Sequence, residues 1–192
     1  MPMTAGRYPS DTRYVLHKSI VLVGMMGAGK TAVGTALAGL LDVSIQDSDA
    51  ALVEAADRSI AEIFERDGEA FFRARETEVI ARLLNEAPCI LSTGGGAFLS
   101  ETNRALIQEH AVSVWLKADI ELLWSRVRHK TTRPLLRTSN PRATLEEIAA
   151  ARNPIYAKAA LYVEADERFS IDDMAAEVLR TLLDADVIRR QT

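Results

Sequence analysis

The chain has 192 residues, of which 48% are hydrophobic and 26% are charged. This composition is typical of a globular domain with a sizeable core, and it excludes a disordered or fibrous chain, while no apolar run approaches the roughly 20 residues of a membrane helix. The net charge of −4 argues against nucleic acid as a partner, and the single cysteine, Cys89, excludes an internal disulfide framework and fits a reducing, cytoplasmic compartment.

The N-terminal residues, 1–18, mix Pro, Gly, Arg and Asp without an apolar stretch. We expect them to form a loose, flexible tail rather than a signal peptide. No repeat or linker divides residues 19–192, which predicts a single domain. The first strand is predicted over 20–23, an apolar run with β-branched residues that Gly24 ends, as in a fully buried strand.

Helical and strand patterns then alternate along the chain. They predict further strands over 43–45, 89–91, 112–116 and 161–163, and helices over 30–41, 101–109, 120–128, 145–156 and 171–183. Ser59 and Glu62 form a capping box that predicts a long helix towards Asn85, with a break at Gly68. A second capping box, Thr144 with Glu147, is expected to open the helix over 145–156. Such alternation predicts an α/β fold whose parallel sheet is covered on both faces and binds ligands beyond the carboxyl ends of its strands.

A phosphate-binding loop follows the first strand. Residues 24–31, Gly-Met-Met-Gly-Ala-Gly-Lys-Thr, match the pattern G-x-x-x-x-G-K-[ST]. Its glycines let backbone N–H groups point at phosphate oxygens, and the following helix adds a positive dipole. Lys30 is expected to reach the β- and γ-phosphates and Thr31 to ligate Mg²⁺. A plain glycine-rich turn is the alternative, but the buried strand before it and the helix after it favour phosphate binding.

Two acidic residues, Asp47 and Asp49, follow the second predicted strand. On an extended segment, side chains two residues apart share a face, so both carboxylates can point into one cleft. One could hold Mg²⁺ through its water shell and the other could meet an acceptor hydroxyl. Ordinary turn and helix-capping chemistry explains the pair equally well. No acid directly ends the strands over 89–91 or 112–116, which argues against a motor ATPase and favours Asp47 as the acid on the metal side.

A glycine run and three arginines complete the candidate site. Residues 94–96 can offer backbone N–H donors to a small ligand, although a flexible connection explains them as well. Arg73 could simply pair with Glu69 or Glu76 on its own helix. Arg133 lies in a stretch over 129–142 that is typical of a mobile lid. Arg152 comes late in a helix, and each arginine alone also fits a solvated surface.

Taken together in chain order, these segments resemble the shikimate kinase family. Its members are small P-loop kinases that phosphorylate the 3-hydroxyl of shikimate with ATP. The matching segments are 24–31, 47–49, 63–73, 93–96, 133–136 and 152–156. The resemblance implies an enzyme of aromatic amino-acid biosynthesis, expected to be a monomer. It also implies a three-layer P-loop kinase fold, with a five-stranded parallel sheet of order 2-3-1-4-5 and a lid.

The same resemblance implies residue roles. Shikimate would contact Asp49 through its hydroxyls and two arginines through its carboxylate. The full set of substrate-binding residues would be Asp49, Arg73, Gly94, Gly95, Gly96 and Arg152. ATP would be held by Gly27, Ala28, Gly29, Lys30, Thr31, Ala32, Arg126 and Arg133. Thr31 and Asp47 would lie on the Mg²⁺ side. The catalytic residues would be Lys30, Asp49 and Arg133, with Arg133 closing over the transferring phosphate.

Two alternatives and one detail stay open. The chain could be a P-loop kinase for another small hydroxylated acid, such as gluconate, or for a nucleoside monophosphate. It could also be a non-catalytic nucleotide-binding regulator, although binding alone does not require an acid facing a hydroxyl or a lid arginine. Residues 164–170 depart from the family's pattern near the adenine, so the contacts with the base stay open.

Overall fold

The computed structural model describes residues 13–129 and 134–191. In chain order its strands are β1 (Tyr14–Leu16), β2 (Ser19–Val23), β3 (Ile45–Asp47), β4 (Ile90–Ser92), β5 (Ala111–Lys117), β6 (Leu161–Glu164) and β7 (Ile188–Arg190). Five of them form one sheet in the order β3-β4-β2-β5-β6, and all four pairings are parallel. Counted over these five strands the order is 2-3-1-4-5, so the predicted topology is confirmed.

In the described ranges, seven α-helices connect or follow these strands. They are α1 (Lys30–Leu41), α2 (Ser48–Ala56), α3 (Ile60–Leu84), α4 (Glu101–His110), α5 (Ile120–Val127), α6 (Pro141–Tyr156) and α7 (Ile171–Asp184), with 3₁₀ turns at Ala97–Leu99 and Pro134–Leu136. Within residues 13–129 and 134–191, no helix has both the length and the apolar character needed to cross a bilayer.

The central strand β2 positions the candidate site. Each of its five residues is at most 3% exposed, and successive side chains of a strand point to opposite faces. A strand in this position needs apolar residues on both faces, which is why residues 20–23 are continuously apolar rather than alternating. Its neighbours are β4 and β5, so the loop that follows Val23 begins at the middle of the sheet.

Local signals predicted most helix ends, and the one shifted helix start has a clear cause. The capping box of Ser59 and Glu62 is formed, and Gly68 interrupts α3 with a φ of 83°. The helix predicted from residue 145 begins instead at Pro141, because the Asn140 side chain accepts a hydrogen bond from the backbone N–H of Ala143. Asparagine before proline is itself a strong helix start, and it takes precedence over the later box. Helix α2 was not predicted.

The expectation of a loose tail over residues 1–18 is wrong for Tyr14–Leu16. These residues form β1, which pairs antiparallel with β7 near the C-terminus. The partner strand β7 is packed onto the domain, since Ile188 is 1% exposed. In these two strands the sequence carries too little periodicity to indicate pairing, and only their long-range contact defines them.

This terminal pairing leads to a stability prediction. Replacing Ile188 by alanine removes a fully buried side chain, so Ile188→Ala should lower the free energy of unfolding by about 2–4 kcal/mol. The exposed neighbour Arg190 in the same strand provides the control, and Arg190→Ala should change stability by less than about 0.5 kcal/mol. Urea unfolding of both variants measures the difference. Equal midpoints would show that β7 does not contribute to the packed domain.

Candidate active site

Glycines with positive φ shape the backbone of the loop between β2 and α1. Gly27 and Gly29 have φ values of 85° and 90°, a region that other residues rarely adopt. The Lys30 amino group donates hydrogen bonds to the carbonyl oxygens of Gly24 and Met25, at 2.8 and 3.0 Å. The lysine therefore lies against the loop that it follows, at the positive end of the α1 dipole.

Arg126 on α5 forms a second wall beside this loop. Its Nη1 atom donates to the carbonyl oxygens of Gly27 and Ala28, at 3.2 and 3.3 Å. Partial burial lowers the pKa of the Arg126 guanidinium, but an arginine remains protonated in a protein. The loop, Arg126 and the start of α7 line one cavity of about 550 Å³. The nucleotide residues predicted in the described part of the chain therefore come together.

Asp47 is extended, as the last residue of β3, but Asp49 does not continue that extended segment as predicted, because α2 begins directly at Ser48. Asp47 is its N-cap, and its Oδ1 atom accepts the backbone N–H groups of Asp49 and Ala50, at 3.0 and 3.1 Å. The capping alternative is therefore correct for Asp47. Both carboxylates nevertheless line the cavity, since the end of β3 and the first turn of α2 lie at the same edge of the sheet.

Asp47 also contacts the phosphate-binding loop. Its Oδ2 atom accepts a hydrogen bond of 3.1 Å from the Thr31 hydroxyl, and the Ser92 hydroxyl lies 3.0 Å from the same Thr31 oxygen. These are hard oxygen donors of the kind that Mg²⁺ prefers. Within the described ranges, no three His, Cys, Asp or Glu side chains cluster as a metal site. Mg²⁺ commonly needs only one or two carboxylates together with phosphates and water, so the donor set fits this ion.

The three glycines at 94–96 each lie against one predicted substrate-binding side chain. A Cβ atom built on them would lie 2.6 Å from Asp49 Oδ1 at Gly94, 3.5 Å from Arg152 Nη1 at Gly95 and 2.6 Å from Arg73 Nη2 at Gly96. Contacts below 3.0 Å are too close for a real Cβ atom, so a side chain at the first or third glycine would displace a charged group. The run is therefore a surface on which an acid and two arginines converge.

Sequence reasoning missed Glu76 as a part of this site. Its side chain is 2% exposed and accepts a 2.8 Å hydrogen bond from Arg73 Nη1. Burial raises the pKa of Glu76, the bond from Arg73 opposes that rise, and the negative charge of Asp49 adds to it. The predicted pairing of Arg73 within its own helix is present, and it holds the guanidinium at the site. An acid three residues after an arginine resembles an ordinary ion pair on a helix surface. The sequence therefore indicates the pair but not that Glu76 is buried at the site.

Tyr156 is the second missed residue. It is fully buried, and its hydroxyl donates a 2.5 Å hydrogen bond to the carbonyl oxygen of Gly95. Burial raises the pKa of the Tyr156 hydroxyl, and the positive charge and hydrogen bond of Arg152 partly offset this. Arg152 and Tyr156 are one helical turn apart, so the tyrosine fixes the face of α6 that carries the arginine.

The remaining features of the nucleotide side are the lid arginine and the segment over 164–170. Arg133 lies outside the described residues, and its role stays a prediction. In the weakly matching segment over 164–170, Arg168 is paired with Asp166 and lowers the pKa of that carboxyl to about 2. The wall of the cavity opposite the loop is formed instead by Phe169 and the first residues of α7.

The family model for shikimate kinase matches residues 26–183. The chain belongs to the shikimate kinase family. It is 64% identical to the shikimate kinase of Ruegeria pomeroyi over 87% of this chain and 86% of that protein, and 60% identical to that of Cereibacter sphaeroides over 87% and 83%. The structure of shikimate kinase from Acinetobacter baumannii in complex with shikimate aligns with a TM-score of 0.82 and 36% identity, over 88% of this chain and 94% of that one.

Family membership confirms the resemblance and settles the class of protein. The chain is a kinase that uses ATP as co-substrate. The sequence matches the shikimate kinase family and neither of the two alternatives. These were a kinase for gluconate or a nucleoside monophosphate, and a non-catalytic regulator. The predicted P-loop kinase fold is also confirmed, because the aligned shikimate kinase structure covers most of both chains.

The double role of Asp47 leads to a prediction for the ligand-free protein. Asp47→Ala removes the N-cap of α2 and should lower the free energy of unfolding by about 1 kcal/mol. Asp47→Asn keeps an oxygen that can accept the same backbone N–H groups, so its stability should stay close to that of the wild type. Denaturant unfolding without nucleotide compares the two. Wild-type stability in the alanine variant would contradict the capping role.

Proposed function

We propose that this chain transfers the γ-phosphate of ATP to the 3-hydroxyl of shikimate at the cavity described above, giving shikimate 3-phosphate. The observation that carries the proposal is a juxtaposition. The phosphate-binding loop and Asp49 line the same cavity, and Arg73 and Arg152 converge on the glycine run beside Asp49. A donor of phosphate and an anionic acceptor with hydroxyl groups therefore fit side by side.

The acceptor half has the chemistry that shikimate requires. A carboxylate is best recognised by arginine, whose planar guanidinium can form two hydrogen bonds with it. We assign Arg73 and Arg152 to the carboxylate and Asp49 to the ring hydroxyls. Glu76 and Tyr156 position the two arginines, and residues 94–96 leave the space in which the ring lies. The buried negative charge of Glu76 is matched by Arg73, and Arg152 brings a second positive charge to the place where the substrate carboxylate would bind.

The nucleotide half follows from the loop. We assign the phosphates to the backbone N–H groups of residues 27–32 and to Lys30, at the N-terminus of α1. Arg126 and Phe169 face the same cavity from opposite elements, and we assign the adenine to the space between them. A guanidinium and an aromatic ring both stack on a base. We therefore propose that the base contacts, which sequence alone left open, come from residues 126 and 169–171.

The chemical step needs few reacting groups from the protein. Phosphoryl transfer has a loose transition state, so catalysis consists mainly of positioning and charge stabilisation. Asp49 orients the 3-hydroxyl and accepts its proton as the oxygen attacks. Lys30 stabilises the charge on the transferring group, and Arg133 adds a second positive charge while excluding water that would compete as acceptor.

We assign Mg²⁺ to Thr31 and Asp47, whose oxygen atoms are 3.1 Å apart. When bound, the ion would supply positive charge that offsets the negative charge of the phosphates. We further propose that the chain from β1 onwards acts as one domain and as a monomer in the cytoplasm, without nucleic acid or a membrane. This is supported by the net charge of −4 and the single cysteine, and by the fact that one chain supplies every assigned group.

The test of the reaction is a coupled assay of ADP release with shikimate, gluconate and AMP as acceptors, followed by identification of the product. We expect turnover with shikimate alone and a strict requirement for a divalent cation, so that chelation of Mg²⁺ abolishes it. Phosphorylation of gluconate or AMP in place of shikimate would refute the acceptor assignment. ATP binding without any phosphorylated product would refute the reaction.

Replacing Asp49 tests its role as the acid that faces the hydroxyl. Asp49→Asn removes the proton acceptor and should lower kcat by about 10²–10⁴-fold, with the KM for ATP changed little. The matched control is Asp184→Asn, which changes an exposed acid at the far end of α7, about 20 Å along that helix from the cavity. Steady-state kinetics measure both variants. Parallel losses in kcat and in ATP affinity would indicate a metal or folding role instead.

The glycine surface gives a prediction about acceptor binding. Gly96→Ala places a Cβ atom 2.6 Å from Arg73 Nη2 and should displace the guanidinium. The KM for shikimate should then rise by about tenfold or more, the effect of weakening one hydrogen bond to a charged group, while the KM for ATP stays constant. Gly39→Ala is the control, because a Cβ there has no neighbour within 4 Å. Unchanged shikimate affinity in Gly96→Ala would remove Arg73 from the acceptor site.

A further inference from the structure

A buried hydroxyl that the proposed mechanism does not use ends β4. Ser92 is 1% exposed and follows Ile90 and Leu91, both fully buried apolar residues. It lines the cavity of the candidate active site. Burying a hydroxyl is unfavourable unless it is hydrogen-bonded, so the partner of this group indicates its purpose. That partner is the Thr31 hydroxyl, at 3.0 Å.

The direction of this hydrogen bond follows from the number of protons. A hydroxyl has one proton and can donate one hydrogen bond, whereas an ionised carboxylate can only accept. The Thr31 hydroxyl donates to Asp47 Oδ2, so its proton is already used. Ser92 is therefore the donor and Thr31 Oγ1 the acceptor. The three groups form a directed chain from Ser92 through Thr31 to Asp47.

The sheet register holds the two ends of this chain in place. Asp47 and Ser92 are paired residues at the carboxyl ends of the neighbouring parallel strands β3 and β4. Helix α1 lies close above them because Gly34 has no side chain, and a Cβ there would lie 2.9 Å from Ile45 Cδ1. Thr31 is three residues before Gly34 and lies on the same face of the helix. Its hydroxyl therefore reaches both strand ends.

We propose that Ser92 is a positioning residue that orients the Thr31 hydroxyl towards the Mg²⁺ of bound Mg·ATP. The inference rests on the proposed assignment of Thr31 to the metal side. Thr31 Oγ1 has two lone pairs, and Ser92 occupies one of them while Asp47 takes the proton. The other lone pair remains for a cation. Two partners on separate strands remove the rotational freedom of the hydroxyl before the nucleotide binds, so binding of the ion carries a smaller entropic cost.

Calorimetric titration of ATP, with and without Mg²⁺, tests the proposal without relying on turnover. In Ser92→Ala, the ratio between the two ATP affinities should fall by about three- to tenfold, the effect of losing one hydrogen bond. The affinity for ATP without Mg²⁺ should not change, because the backbone N–H groups and Lys30 remain. An unchanged ratio, or an equal loss of affinity with and without Mg²⁺, would overturn the proposal.

Two further variants separate positioning from packing. Ser113→Ala is the matched control, because Ser113 is also a buried serine of the sheet but its hydroxyl accepts from the backbone of Ala160. This variant should keep the wild-type ratio. Ser92→Thr keeps a hydroxyl at the end of β4 and should restore most of the ratio. A loss in the control, or a failure of threonine to restore the ratio in a folded protein, would contradict the role of the hydroxyl.

A double-mutant cycle tests whether Ser92 acts through Thr31. In a Thr31→Val background, adding Ser92→Ala should leave the affinity ratio unchanged, since the acceptor is already absent. An additional loss in that background would overturn the proposal. A wild-type protein whose ATP affinity does not respond to Mg²⁺ would overturn the metal-side assignment and this inference together. A wild-type response that Ser92→Ala retains would overturn the inference alone.

Discussion

The active site depends on the absence of side chains at three consecutive positions after β4. Because residues 94–96 are glycines, an aspartate from α2, an arginine from α3 and an arginine from α6 can all approach one short stretch of backbone. Hydrogen bonds hold that stretch in place. Thr93 donates to the carbonyl of Leu22 in the neighbouring strand, and the Tyr156 hydroxyl donates to the carbonyl of Gly95. The glycines supply the space, and the surrounding donors keep their backbone in a single position.

The charged groups on this surface are arranged so that like charges are kept apart by opposite ones. Arg73 lies between the buried Glu76 and the exposed Glu69, and Arg152 approaches the same glycine run from another helix. Since Glu76 is buried, its charge stays costly unless the arginine remains beside it. The pair therefore holds the guanidinium in place before any substrate binds, and preorganisation of this kind favours tight binding of an anionic acceptor.

The phosphate side was predictable because its signals are local. A continuous apolar run, a glycine-rich loop and a helix follow each other within about twenty residues, and together they determine the backbone of the loop. The order of the five parallel strands came from the family resemblance rather than from periodicity. The contribution of Glu76 and Tyr156 was not predictable, because a helix-surface pair and a tyrosine at the end of a helix are both common. Only the packing of α3 and α6 onto the glycine run gives these two residues their roles.

By itself, the sequence determined the parallel α/β architecture, the phosphate-binding loop, and the types of residue that bind and transfer the phosphate. The tertiary structure decided which of them meet. It began a helix directly after Asp47 and made that residue its cap, paired β1 with β7, and placed the Ser92 hydroxyl against Thr31. The physical reason is the range of the interactions. Helix starts and tight loops depend on neighbouring residues, whereas strand pairing and buried hydrogen bonds join positions tens to more than a hundred residues apart, and no local pattern encodes them.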